Sequence, residues 1–472
     1  MKTFSIENFG CRATDADAAS LRQCMLADGW AIEMNQDRSD VVILNTCTVT
    51  AAADRQAREA VRKIHRANPA ARIVVTGCYA QRAPEEIADL QGVQFVVGNS
   101  HQSAIPGLLC DAQQPGARGH DRGFIPLAAL QTEAMSLARG PAKILTGDIF
   151  AQDFLVPAPA VYGAGERTRP ILKIQDGCDN RCSYCVIPLV RGNSRSMAPD
   201  AVVASVQRLA ESGAKEIVLS GINLGSYGRD FTPRAGLVSV VRRILDETSL
   251  EQLRFSSIEP QDVTEEFVSL VASSGRIAPH FHIPLQSGSD RILRAMHRWY
   301  RTAHYAERVQ MVRRLLPHAA IGADVIAGFP GEMGADFQET VDFIERMPLT
   351  YLHVFSFSPR PGTKAEGLDA PVPFGVIRER ARTLRALGQR KAESFRSSLA
   401  GRRFRALTLV RGGDNWTEAL TGNYLKARIP GRHPANQWHD VDLTAEEVSI
   451  TFASPDHPEE PSNHRSFVPQ GD

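Results

Sequence analysis

The chain has 472 residues, 43% of them hydrophobic and 23% charged, with a formal net charge of +1. That balance excludes collagen-like, disordered and disulfide-scaffold classes, and no apolar run is long enough to span a membrane. It leaves a globular chain of about two to four domains, expected in the cytoplasm because the start, MKTFSIENFGCR, carries no signal-peptide apolar region. With a net charge this close to zero, any surface that attracts nucleic acid has to be local.

Residues 1–110 read as an N-terminal parallel α/β domain. TFSIENFGC is a strand running to Cys11, DVVILNTC (40–47) a β-branched strand ending at Cys47, and RIVVTGC (72–78) another ending at Cys78. Between the last two, AAADRQAREAVRKIHRANP is a polar helix stopped by Pro69. Strand–helix–strand at this length implies parallel pairing, and open parallel sheets bind ligands at the carboxyl ends of their strands. Residues 111–166, dominated by Gly, Pro, Ala and Gln, read as a linker or insertion with at most one short helix around 127–137. Over 167–398 the βα rhythm returns. PILKIQ, EIVLSG, LRFSSI, HFHIPL, IGADVIAG and YLHVFSF are six strands separated by helices, one of them capped by Ser289. They predict a central partial (βα)6 barrel with its reactive groups at the C-terminal face. After an Arg-rich helix at 374–398, residues 399–455 read as a small C-terminal all-β barrel, and 456–472 as a disordered tail. Between 396 and 432, eight Arg or Lys face two Asp or Glu, a local +6.

KIQDGCDNRCSYCVIPLVRG holds Cys178, Cys182 and Cys185, spaced C-x₃-C-x₂-C after the first barrel strand. Iron–sulfur cubanes usually take four thiolates. Three on one loop hold three irons and leave the fourth open, and an open coordination position is what makes a metal site catalytic. Zinc is the lesser reading, because it wants a fourth ligand nearby and the nearest histidines, His120 and His282, are distant in sequence. Cys11, Cys47 and Cys78 are again three. Each alone reads as an ordinary core thiol, and so do Cys24 and Cys110, which end no strand.

The C-x₃-C-x₂-C loop, with Tyr184 before its last cysteine and a βα barrel around it, resembles the radical S-adenosylmethionine superfamily. Joined to an upstream three-cysteine domain and a basic C-terminal barrel, the chain is similar to the methylthiotransferase family. FGCR, LNTCTVT, TGCYAQ, QDGCDNRCSYCVIP, SGINLGSYG, RFSSIEP, HIPLQSGSDRIL, ADVIAGFPGE and HVFSFSPRPGTKA carry the likeness. TCTVT and QDGC place it nearest the MtaB-like branch that acts on N6-threonylcarbamoyladenosine in tRNA. One stretch departs: where the family has an Asn-Gln pair and a Glu, this chain has Thr14, Asp15 and Asp17.

The resemblance implies two 4Fe–4S clusters and S-adenosylmethionine. Cys178, Cys182 and Cys185 would hold the radical cluster, whose open iron chelates S-adenosylmethionine. Cys11, Cys47 and Cys78 would hold the auxiliary cluster that delivers sulfur to C2 of the adenine at tRNA position 37. Tyr184, Ser220, Asn223, Gln286, Gly328 and Glu332 would line the cofactor pocket, although SGIN and GFPGE also read as ordinary turns. No further catalytic side chain is expected. Partners implied are the tRNA anticodon loop and an electron donor such as flavodoxin or ferredoxin; the sulfur donor is unnamed by the sequence. The C-terminal barrel resembles a TRAM domain, with its local +6 set against phosphates. Phe404, Trp416 and Tyr424 read equally as base-stacking or core aromatics. Alternatives are the same chemistry on isopentenyladenosine or on a ribosomal-protein aspartate, and a non-catalytic iron–sulfur RNA-binding redox sensor.

Overall fold

VVILNT is buried at all six positions, which is what a β-branched run does when helices cover both faces of a parallel sheet. This strand, β3 (Val41–Thr46), lies inside a six-stranded sheet ordered β2-β1-β3-β4-β5-β6. The others are β1 (Thr3–Asn8), β2 (Ala31–Ile32), β4 (Arg72–Gly77), β5 (Val93–Gly98) and β6 (Lys143–Leu145), and every pairing is parallel. The computed structural model describes residues 2–111, 142–152, 155, 162 and 167–443. The short helix expected at 127–137, the strand signal beyond 443 and the tail at 456–472 lie outside the described residues.

The segment 111–166, read as a linker or insertion, carries β6. Phe95, Val96 and Val97 of β5 pair with Lys143, Ile144 and Leu145, so the sheet recruits its last strand from inside that segment. Three residues with one β-branched side chain leave no alternation to detect. The first strand also differs: it stops at Asn8, and Cys11 caps the helix Arg12–Ala27. The helix Ala51–Ala67 is as expected, with Thr50 accepting from the Ala53 amide at its start.

Six parallel strands form the central unit: β7 (Ile171–Asp176), β9 (Glu216–Gly221), β10 (Gln252–Phe255), β11 (His280–His282), β12 (Ala320–Ala327) and β13 (Tyr351–Ser356). Single bridges, Leu253 to Ile277 and Ser257 to His282, carry the curve from β10 to β11. A two-residue strand, β8 (Arg195–Ser196), runs antiparallel along β7. The helix Phe374–Ser398 packs on β13, Gly388 giving it close approach at Leu352. Four antiparallel strands complete the chain in the order β16-β15-β14-β17: β14 (Arg403–Gly413), β15 (Trp416–Thr421), β16 (Lys426–Pro430) and β17 (Trp438–Asp442).

This last sheet seats against the amino ends of the barrel strands. Tyr424 packs with Ala320 and Tyr351, the first residues of β12 and β13, and stacks on His280, the first of β11, at 4.3 Å. Arg254 ties the seam: it pairs with Glu216 at 2.6 Å and donates to the carbonyls of Gly422 and Thr421 at 2.9 and 3.2 Å, both charged side chains being fully buried. Behind Tyr424, the Tyr351 hydroxyl lies 2.8 Å from His280 Nε2 and 3.0 Å from His282 Nδ1, and His282 Nε2 reaches Asp324 at 2.8 Å. His353 lies 3.3 Å from the same Asp324 oxygen.

Glu216 also pairs with Arg169 at 3.4 Å. Glu216→Ala therefore strands two guanidiniums, and should cost about 3–5 kcal/mol in urea unfolding and free the C-terminal sheet to protease. Burial holds His280 well below, and His282 below, the ordinary imidazole range. Both stay neutral in the fold, whereas the unfolded chain binds their protons below pH about 6.5, so stability rises with pH across that point and is lost beneath it. Thermal unfolding should show a lower melting temperature at pH 5 than at pH 7.5, and a smaller gap for His280→Gln.

Candidate functional site

β7 ends on Gln175-Asp176-Gly177, and the loop that follows carries Cys178, Cys182 and Cys185. Gly177 has φ of +70°, and a Cβ there would collide with the Asn193 carbonyl, so only glycine fits. The buried Gln175 amide locks the turn, donating to the carbonyls of Asp176 and Gly177 at 3.0 and 2.8 Å and to Ser194 at 2.9 Å. Its oxygen accepts from the Asn223 amide at 2.8 Å. Further on, Ser183 donates to Met296 and Ala295, and Tyr184 packs on Ile292, Met296, Ile326, Phe329 and Ala365. Arg298 donates to Cys182 Sγ at 3.3 Å while paired with Glu259, and lies over the Tyr300 ring. Burial pushes the Cys178 thiol up to about 11 and, with Cys182 and Cys178 beside it, Cys185 up to about 12. Thiols that resist ionising in isolation, as Cys178 and Cys185 do, become thiolates on a cation.

The other expected pocket residues gather at the same carboxyl rim, with distinct roles. Asn223 is buried, its Nδ2 at 4.0 Å from Cys178 Sγ and its Oδ1 without a partner among the described residues. Ser220 is buried at the end of β9. Gln286 follows β11 with φ of +67°, a backbone strain of the kind held at functional sites. Gly328 and Glu332 form one turn: the Glu332 carboxylate accepts from the Gly328 amide at 2.8 Å and pairs with Arg380 of the helix Phe374–Ser398 at 2.6 Å. Ser289 stands at the cap position, but its hydroxyl donates to Asp336 instead of to its own helix.

Cys11, Cys47 and Cys78 follow β1, β3 and β4 at the carboxyl edge of the first sheet. Gly10 allows the closest approach, since a Cβ there would sit 2.7 Å from the Cys47 Cβ. Burial, then the Cys11 and Cys78 thiols, pushes Cys47 up beyond the ordinary thiol range, so the three act on one another. The Val49 amide donates to Cys47 Sγ at 3.5 Å, and Asn99 Nδ2 to Cys78 Sγ at 3.5 Å. The side-chain oxygens of Asn8, Asn45 and Asn99 are buried without partners among the described residues. Amide donors aimed at sulfur are how proteins support iron–sulfur thiolates. Cys24, read as a core thiol, is exposed instead, on the outer side of its helix; Cys110 falls outside the described side chains.

The departing residues have partners. Thr14 donates to the Cys11 carbonyl at 2.7 Å, Asp15 accepts from Asn8 at 2.6 Å and pairs with Arg167 at 2.9 Å, and Asp17 pairs with Lys173 and Arg191 of the barrel. A second crossing tie joins Asp54 to Arg82 and to Arg360, with Thr48 bonded to all three. Sequence reading missed these cations and acids. Their partners lie up to 306 residues away, so no local pattern marks them.

The C-terminal aromatics resolve toward packing. Tyr424 is buried in the barrel seam, and Phe404 packs on Leu399, Leu425 and Leu443. Trp416 is half-buried with the Arg428 guanidinium 4.5 Å above its ring. Much of the local +6 is paired: Arg403 with Asp442, Arg405 with Glu251, Lys426 with Glu418 and Arg432 with Asp414. Arg403, Arg405 and Arg432 are at the surface, where such pairs contribute about 0–1 kcal/mol, so phosphate can displace the carboxylate.

Among the described residues, no helix is long and apolar enough to cross a membrane. Residues 3–98 match the model of the uncharacterized protein family UPF0004, and 172–344 that of the radical SAM superfamily. A threonylcarbamoyladenosine tRNA methylthiotransferase MtaB of Aquifex aeolicus is 36% identical over 427 residues, covering 90% of this chain and 96% of the relative. The MtaB of Bacillus subtilis is 34% identical, covering 84% and 82%. A tRNA-2-methylthio-N(6)-dimethylallyladenosine synthase of Thermobifida fusca is 32% identical, covering 97% and 88%. Among solved structures, the radical S-adenosylmethionine methyltransferase TsrM of Kitasatospora setae superposes with a TM-score of 0.52 at 15% identity, over 77% of each chain, a likeness of fold. Two trios of cysteine at the carboxyl edges of two parallel sheets, and relatives matched along nearly their whole length, lead to one conclusion: the chain belongs to the radical S-adenosylmethionine methylthiotransferase family and is MtaB-like within it.

Proposed function

We propose that the protein methylthiolates C2 of N6-threonylcarbamoyladenosine at position 37 of tRNA, in the cytoplasm. The observation that carries this is the pairing of two three-cysteine sites across one domain seam, in a chain whose relatives include named tRNA methylthiotransferases. The family's cofactors are S-adenosylmethionine and two 4Fe–4S clusters. When bound, they supply hydrogen-atom abstraction at one cluster and sulfur at the other, because an aromatic C–H offers no acid–base route.

The residues fit these groups. Cys178, Cys182 and Cys185 would hold the radical cluster and Cys11, Cys47 and Cys78 the auxiliary one. Arg298 steadies Cys182, and Asn99 and the Val49 amide steady Cys78 and Cys47. The unpartnered Asn223 Oδ1 is an acceptor beside Cys178, suited to the ammonium end of S-adenosylmethionine. Ser220, Gln286 and Tyr184 would wall that pocket, while Glu332 and Arg380 hold the Gly328 turn against it. Surface arginines of the C-terminal sheet would meet tRNA phosphates. A reductase such as flavodoxin or ferredoxin would supply electrons.

The Thermobifida relative favours a second reading, the same chemistry on dimethylallyladenosine. Mass spectrometry of tRNA nucleosides from a deletion strain decides between them. Loss of the methylthio group from the threonylcarbamoyl base alone supports the proposal, and loss from the dimethylallyl base overturns it. Anaerobic protein should carry iron and acid-labile sulfide for two clusters. Cys182→Ala and Cys47→Ala should each lose one, with 5′-deoxyadenosine release abolished in the former and retained, without sulfur insertion, in the latter. Asn223→Ala should weaken S-adenosylmethionine binding about 10- to 100-fold by calorimetry, the loss expected for one hydrogen bond to a charged group.

A further inference from the structure

The helix Ile187–Arg191 begins two residues after Cys185 and reaches into the other cysteine site. Val186 and Val190 pack on Cys78. Asn99 joins the two, donating to the Val190 carbonyl at 2.9 Å and to Cys78 Sγ at 3.5 Å. The next residue is Arg191, its side chain 2% exposed. One arm of its guanidinium donates to Asp17 at 2.7 Å, on the helix that starts after Cys11. The other donates to both oxygens of Asp176 at 3.0 and 3.1 Å, two residues before Cys178. Lys173 closes the square, paired with Asp17 and, at 2.6 Å, with Asp176. Each of the four charged groups thus lies on a segment that leads into, or out of, one of the two cysteine sites. Arg191 Nε is buried without a partner among the described residues.

Resting on the two-cluster reading, we propose that Arg191 is a positioning residue that fixes the charge environment of the auxiliary cluster from the radical-cluster loop, with Asp17 as its counterweight. Three thiolates on an iron–sulfur core make a net anion, and each electron added makes it more negative. A cation held in a site of low dielectric favours the reduced form, and an anion held there disfavours it. Arg191 also fits the geometry of its two carboxylates as a fork, which lysine lacks.

The test is an EPR-monitored redox titration of the anaerobically loaded full chain, with Cys182→Ala protein used to assign the auxiliary signal. Arg191→Gln should lower the auxiliary midpoint potential and Asp17→Asn should raise it, each shifting the auxiliary signal more than the radical one. Arg191→Lys should return the potential toward that of the unaltered protein. Should Arg191→Gln lose its iron, the upward shift of Asp17→Asn still decides. A purely structural role predicts lost iron without opposed shifts, so shifts of the same sign, or none with both clusters present, overturn the inference. If the unaltered protein carries one cluster, or zinc, it is the two-cluster reading that has failed instead.

Discussion

A parallel sheet releases all its strands at one edge, and both cysteine trios depend on that constraint. In the first sheet three separate strands deliver one thiol each; in the barrel one loop delivers three. The chemistry needs the two edges opposed, and nothing in either sheet alone arranges that. The arrangement comes from charge buried between them. Asp17, Lys173, Asp176 and Arg191 form one nearly water-free square, and Asp54, Arg82 and Arg360 a second tie.

Buried ion pairs are a poor source of stability, since desolvation cancels much of the attraction. Their advantage here is directional. Apolar contacts are not directional, whereas a forked guanidinium between two carboxylates adds geometric specificity. Proximity effects in catalysis fall steeply with misplacement, so under the proposed function a docking geometry fixed by hydrogen-bonded charge would suit two reactive centres that meet one atom. The Gln175 amide acts the same way at smaller scale, tying the Cys178 turn to Asn223 in the loop that follows the neighbouring strand.

What the sequence revealed and what it hid divide along this line. The cysteine sites were legible because spacing and strand ends are local. The helix at 374–398 was legible to the residue, because periodicity persists over its 25 residues. β6 was not, since three edge residues carry no period. Tyr424 read equally as a base-stacking or a core aromatic, because it is an aromatic among cations. Its burial is set by the seam with His280 and Tyr351, over seventy residues earlier in the chain. Thr14, Asp15 and Asp17 looked like a gap in a motif, and Asp17 is instead a corner of the square.

The placement of the C-terminal sheet bears on how RNA is used. Its contacts are to loops that precede the barrel strands: Asn436 to Gly213, Arg405 to Glu251, and Asn423 to His318. The cysteines lie past the opposite ends. β12 spans eight residues, about 26 Å at the rise of an extended strand. Under the proposed function, a side chain on the C-terminal sheet would therefore not wall the reacting base, and its arginines would grip the same RNA at a distance. Such contacts add affinity through phosphates and carry no base information. Under the proposed function, selection of the modified adenine would then fall to the rim itself, where Gln286 and the Gly328 turn lie at the carboxyl ends. The strain stored at Gln286 marks that rim as the place where shape is held against its own backbone preference.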